Sequence, residues 1–102
     1  MPLRATHVVR CRSLHLKVDM GAAGAAAIGQ ALQTNTTITT IDLIDNGIGD
    51  AGASSIATAL QTNRTLTSLD IRGNKLTHGG PGAAAIVMAD RLNPALKSLY
   101  LW

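Results

Sequence analysis

Residues 32–43 read LQTNTTITTIDL, and residues 60–71 read LQTNRTLTSLDI. The two stretches are nearly the same sequence, and the second begins 28 positions after the first. Self-similarity at such a period is typical of a solenoid, in which each repeat packs only against its neighbours. Extended along the chain, the alignment predicts a lead-in at residues 1–11, units at 12–38, 39–66 and 67–96, and a partial unit at 97–102.

Each unit opens with an apolar pattern that predicts one short strand. In the third unit the pattern L-x-x-L-x-I-x-x-N-x-L runs from Leu66 to Leu76, and in the second it runs from Ile38 to Ile48. Apolar residues that alternate with polar ones are typical of a strand with one buried face. We therefore expect strands near residues 13–16, 40–43, 68–71 and 98–101.

The second half of each unit predicts a helix. In the second unit Ala53, Ile56, Ala57 and Leu60 have the spacing i, i+3, i+4, i+7, which forms one apolar stripe. Strands that alternate with helices in this way form a parallel sheet with right-handed crossovers. We expect helices near residues 22–33, 51–61 and 83–92.

The third unit departs from the period. We expect its apolar stripe at Ala85, Met88, Ala89 and Leu92, a step of 32 residues from the second unit. This alignment requires a four-residue insertion in the loop around residues 78–82. A step of 30 would instead place Asp90 on the core face, which is unfavourable for an unpaired carboxylate.

Asparagines mark the turns of the repeat. Asn46 and Asn74 follow the strands, where their amides can bind backbone groups of adjacent units as a buried ladder, and Asp19 takes this place in the first unit. The alternative is a simple turn residue, which is compatible with the same pattern. Asn35 and Asn63 follow the helix ends, where asparagine tolerates the left-handed cap conformation.

The strand pattern is followed by G-D-A-G-A at residues 49–53 and A-L-Q-T-N at residues 59–63. This combination resembles the leucine-rich repeat. The 28-residue step is similar to that of the ribonuclease-inhibitor subclass, which also occurs in NOD-like receptors and Ran GTPase-activating proteins. The resemblance implies an α/β solenoid of about three and a half repeats, with a parallel sheet on the concave face and helices on the convex face.

Residues that alternate with the inward apolar positions point outward from the sheet. They form three columns: Ser13, Thr40, Ser68, Ser98; then His15, Asp42, Asp70, Tyr100; then Lys17, Ile44, Arg72, Trp102. Both aromatic residues of the chain fall in these columns, and Tyr and Trp are enriched at protein interfaces. The predicted protein-binding surface consists of His15, Lys17, Asp42, Ile44, Asp70, Arg72, Tyr100 and Trp102. The alternative is that these are ordinary solvated strand residues.

The composition argues against several other classes of function. The net charge is +3, but residues 1–18 hold four of the nine basic residues and none of the acidic ones, so the repeats are nearly neutral and nucleic acid is not the expected partner. Cys11 is the single cysteine, which excludes an internal disulfide and indicates a reducing compartment, with a cytoplasmic location. It stands where the pattern asks for an inward apolar residue, so we expect it to be buried. The chain has no apolar run of the ~18–20 residues that cross a membrane.

Catalytic and metal-binding interpretations are weak. Asp42 and Asp70 could form a carboxylate pair, but both occupy the same repeat position, and repetition alone explains their recurrence. His7, His15 and His78 lie in different parts of the chain and lack ligand spacing, and no cofactor motif is present.

The sequence therefore predicts a non-enzymatic protein–protein interaction module. The alternative is a regulatory fragment of a larger NOD-like-receptor-type sensor or GTPase-activating protein, without independent function. Solenoids need terminal caps with polar outer faces, and the chain shows no convincing cap at either end. Self-association through the ends is therefore a further possibility.

Overall fold

A computed structural model describes residues 12–102. Strands and helices alternate along this part of the chain: β1 Ser13–His15, α1 Gly21–Thr34, β2 Thr40–Asp42, α2 Gly49–Leu60, β3 Ser68–Asp70, α3 Pro81–Leu92 and β4 Ser98–Tyr100. Every expected strand and helix is present, with ends within two residues of the prediction. The lead-in and Cys11 lie outside the described residues, so the predicted burial of Cys11 stays a prediction.

The four strands form one parallel sheet in the order β1-β2-β3-β4. Leu14 lies opposite Ile41, Ile41 opposite Leu69, and Leu69 opposite Leu99, so corresponding repeat positions are in register across the sheet. The helices connect successive strands and pack in the same order, α1 on α2 and α2 on α3. The predicted α/β solenoid is therefore confirmed.

The core lies between the sheet and the helices and is built from Leu, Ile and Ala. Ile41 and Leu69 from the strands are at most 1% exposed, as are Ile56 and Leu60 from α2. Burying one such side chain stabilises the fold by about 1.5–3 kcal/mol. This thin layer suits a chain in which hydrophobic residues make up 46% and aromatic residues only 2%.

The predicted register of the third helix is wrong. Its buried residues are Gly82, Ala83, Ile86 and Ala89. Gly82 and Ile86 correspond to Gly52 and Ile56 at a step of 30, not 32. Met88 and Leu92, which were expected in the core, are 55% and 67% exposed.

Asp90 occupies the position in α3 that corresponds to Leu60 in α2. The carboxylate is tolerated there because Asp90 is only half-buried. Within residues 12–102 no further unit packs on the far side of α3, so the carboxylate keeps contact with water. The loop before α3 therefore carries two extra residues, not four. Thr77 anchors this loop: its N–H and hydroxyl donate to the Asp50 carboxylate at 3.2 and 2.8 Å, and its carbonyl accepts from Gly80.

The asparagines after the strands form the buried ladder. Asn74 is 2% exposed, accepts a hydrogen bond from the backbone of Asn46 at 2.7 Å, and donates to the carbonyl of Leu43 at 2.7 Å. Asn46 in turn accepts from Val18 N–H at 2.9 Å and donates to the carbonyl of Leu16 at 2.7 Å. The side chains thus join adjacent units, which decides between the two interpretations in favour of the ladder.

The asparagines after the helices form a second ladder that the sequence did not predict. Asn93 donates to the carbonyls of Leu60 and Asn63 at 2.8 and 2.7 Å, and Asn63 donates to the carbonyls of Leu32 and Asn35. Neither residue adopts the left-handed cap conformation: Asn35 has φ −75° and ψ 132°, and Asn63 has no positive φ. An extended backbone here lets the chain run directly into the next strand while the amide binds the preceding unit.

No helix within residues 12–102 combines the length and the apolar character that crossing a membrane requires.

Candidate functional site

The outward columns lie on the face of the sheet opposite the core, here called the strand face. His15 pairs with Asp42, Asp42 with Asp70, and Asp70 with Tyr100 in the strand register. The Ser and Thr residues of the first column are aligned in the same way: Ser13, Thr40, Ser68 and Ser98. The sheet therefore aligns the first two columns about 5 Å apart from strand to strand. The residues of the third column follow the strand ends: Lys17, Ile44, Arg72 and Trp102.

Asp70, Arg72 and Tyr100 are joined by several side-chain contacts on the strand face. The Arg72 guanidinium donates from Nε to Asp70 Oδ1 at 2.9 Å and from Nη2 to Oδ2 at 2.7 Å. It also lies over the Tyr100 ring, 5.3 Å from the centroid, which is a cation–π distance. The guanidinium is thus held by a two-point ion pair and by an aromatic ring.

The ion pair shifts the titration of both groups. Hydrogen bonding from Arg72 holds the pKa of the Asp70 carboxyl below its ordinary value, although burial opposes the shift. The same contact raises the pKa of Arg72. Because the folded-state pKa of Asp70 is lowered, the pair stabilises the fold above the unfolded pKa of about 4. This stabilisation is lost as the pH falls through the lowered pKa.

Asp42 and Asp70 also have a local structural role. Asp42 Oδ1 accepts from the N–H of Ile44 at 3.1 Å, and Asp70 Oδ1 accepts from the N–H of Arg72 at 3.2 Å. Each carboxylate therefore accepts from the N–H two residues later and stabilises the turn that follows its own strand, which is a common role of Asp side chains. The sequence analysis treated both residues only as binding groups, although their position before a turn was a signal for this role.

The first half of the strand face is less tightly organised. His15 Nδ1 lies 3.3 Å from Asp42 Oδ2, and the His15 side chain is 63% exposed. Lys17 is exposed, and Ile44 is half-buried. These residues lie on the predicted surface but lack the multiple contacts of the Arg72 cluster.

Trp102 makes a contact that the sequence did not predict. Its ring stacks on His78 with centroids 3.9 Å apart and an interplanar angle of 17°. His78 belongs to the lengthened loop between β3 and α3. The two extra residues were recognisable as an insertion, but only the path of the loop shows that it reaches the end of β4.

The repeats match a known family. A family model described as Leucine Rich repeat matches residues 34–57 and 62–87. Together with the α/β solenoid, these matches show that the chain is a leucine-rich repeat protein. The finer assignment to the ribonuclease-inhibitor subclass stays a prediction.

Solved structures give the same fold. A structure titled "Leiomodin-1 Actin-Binding Site 2 (ABS2)" aligns with a TM-score of 0.72 and 30% identity over 78% of this chain. This chain spans 45% of the length of that one. No match was found among curated proteins.

Proposed function

We propose that the chain is a non-enzymatic interaction module that presents the strand face, as the concave surface of the solenoid, to another protein. The observation that supports this most strongly is the alignment of outward side chains on four strands in register. The three columns combine small hydroxyls, balanced charges and exposed aromatic rings. Tyr100 is 48% and Trp102 55% exposed, which suits residues that contribute most when a partner covers them.

The contacts of the acidic residues support binding over catalysis. Asp70 is committed to Arg72 and to a backbone N–H, and Asp42 to a backbone N–H and to His15. A general base or nucleophile needs a lone pair directed at a substrate. The charges of Lys17 and Arg72 balance those of Asp42 and Asp70 across this face, which favours a protein partner over a polyanion such as nucleic acid. A cytoplasmic location belongs to the same proposal and rests on the single cysteine.

Actin is the first partner to test, because the similar solved structure is titled as an actin-binding site. We expect the purified chain to co-sediment with filamentous actin or to bind monomeric actin in a fluorescence anisotropy titration. Replacing both Tyr100 and Trp102 by alanine is expected to weaken that binding at least 30-fold, since such anchors contribute about 2 kcal/mol or more. Gln30→Ala, on the exposed surface of α1, is the matched control and should leave the affinity unchanged.

Two outcomes would count against this assignment. Absence of binding to either form of actin would reject actin as the partner. Binding that is unaffected by the aromatic variant but lost in Gln30→Ala would move the site to the helices. Light scattering on the same samples would test the predicted self-association through the ends of the solenoid.

The second candidate is a regulatory segment of a larger sensor or GTPase-activating protein, without function of its own. The 28-residue step between Asn46 and Asn74, which the ladder follows, is the feature that favours it. A GTP-hydrolysis assay, in which the purified chain is added to a Ran-type GTPase, tests this candidate. A rate unchanged by the chain would reject the GTPase-activating part of the alternative.

A further inference from the structure

Two pairs of side chains lie at the β3–β4 end of the strand face and are here together called the ring cluster: Arg72 with Tyr100, and His78 with Trp102. Arg72 lies over the Tyr100 ring. Trp102, two residues after Tyr100, stacks on His78. At the other end of the strand face, His15 contacts Asp42 at 3.3 Å. Each side chain of the ring cluster thus has a contact within the face before a partner arrives, and such preorganisation lowers the entropy cost of binding.

The ring cluster offers hydrogen-bond donors that the chain does not use. Arg72 uses Nε and Nη2 for Asp70, whereas its Nη1 group has no acceptor within residues 12–102. The indole N–H of Trp102 likewise has no acceptor in the described part of the chain, and this group can only donate. Water solvates these exposed donors, so a partner that covers them must bring acceptors of its own.

The charge of the ring cluster is already compensated. Asp70 and Arg72 form a neutral pair, in which the carboxylate is held against the guanidinium by two hydrogen bonds. A second carboxylate bound at Nη1 would approach the Asp70 carboxylate and be repelled by it. Uncharged acceptors, of which main-chain carbonyls are the commonest, avoid this repulsion.

We propose that the ring cluster is the anchor of the strand face and binds an uncharged, extended segment of a partner protein. Main-chain carbonyls of that segment accept hydrogen bonds from Arg72 Nη1 and Trp102 Nε1, and an aliphatic side chain packs on the exposed aromatic rings. The inference rests on the proposed function, because it names the kind of segment that the strand face recognises. It makes Arg72 a determinant of specificity through the shape of its guanidinium and not through its charge.

The test selects ligands without assuming a partner. A library of random 12-residue peptides displayed on phage is panned against the folded chain, and enriched peptides are synthesised and titrated. Trp102 is the single tryptophan of the chain, so its fluorescence reports directly on binding at the ring cluster. We expect the enriched peptides to contain few acidic residues, and we expect their Kd to change less than threefold between 0.05 and 0.5 M NaCl.

Two variants separate shape from charge. Arg72→Lys keeps the positive charge but loses the planar fork and the Nη1 donors, and we expect it to weaken peptide binding about tenfold or more. Arg91→Lys makes the same exchange at an exposed position of α3, outside the strand face, and should change the affinity less than twofold. Circular dichroism confirms that both variants are folded before they are titrated.

The outcomes distinguish this inference from the function on which it rests. Peptides rich in Asp or Glu, a Kd that rises more than tenfold with salt, or full binding by Arg72→Lys would overturn the uncharged anchor and leave the strand face as a binding surface. Peptides that bind without changing Trp102 fluorescence, and that lose affinity for the Lys17→Gln variant, would place the anchor at the β1 end of the strand face. A folded chain that enriches no peptide would count against both proposals.

Discussion

Asn74→Ala is expected to lower the free energy of unfolding by about 3–5 kcal/mol, because it removes the centre of the buried ladder. The Asn74 side chain accepts from the N–H groups of Asn46 and Ile48 at 2.7 and 3.3 Å. It donates to the carbonyls of Leu43 and Ile71 at 2.7 and 2.8 Å. Alanine leaves these backbone groups without partners where no water reaches, and each such loss costs about 1–3 kcal/mol.

Urea denaturation followed by circular dichroism measures this effect. Gln61→Ala is the matched control, because it removes an exposed amide at the end of α2 and is expected to change stability by less than about 0.5 kcal/mol. A loss below 1 kcal/mol for Asn74→Ala would mean that the ladder does not hold adjacent units together.

Gly82→Ala is expected to destabilise the chain by about 1–3 kcal/mol through overpacking. A Cβ at Gly82 would lie 2.6 Å from the Cα and 2.9 Å from the carbonyl oxygen of Asp50. These are backbone atoms of α2, so the clash can be relieved only by moving one helix away from the other. The intrinsic helix preference for alanine over glycine, about 1 kcal/mol in a helix interior, works in the opposite direction.

The control for this variant is Ala84→Ser in the same helix, which is exposed and should be nearly neutral. Thermal unfolding of both variants gives the comparison. Stabilisation by Gly82→Ala would show that α2 and α3 are further apart than the structure has them.

The repeat period carried most of the information about the fold. Because LQTNTTITTIDL and LQTNRTLTSLDI align without a gap, positions 28 residues apart had to occupy equivalent places, and the strand register follows from that. The third helix was misaligned because its sequence, PGAAAIVMADRL, offers apolar residues on every side. The register was then chosen so that Asp90 would not lie on the core face. That choice was wrong because it assumed that the whole core face of α3 is covered.

The sequence predicted which side chains share the strand face, but it did not predict the contacts between them. Alternation along a strand is sufficient to place His15, Asp42, Asp70 and Tyr100 on one face. The stacking of His78 on Trp102 depends on the path of a loop that breaks the repeat, and periodicity carries no information there. The second asparagine ladder was missed because the residues after the helices were interpreted as caps and not as links between units.

The central claim is that a partner protein covers the strand face and not the helices. A photo-crosslinking amino acid placed at Lys17 or Ser68 tests the strand face, and the same amino acid at Gln30 or Thr58 tests the exposed side of the helices. Crosslinked products from cells that express the chain are identified by mass spectrometry. The account predicts that one and the same protein is crosslinked from both strand-face positions and from neither helix position. A partner crosslinked only from Gln30 or Thr58 would contradict it.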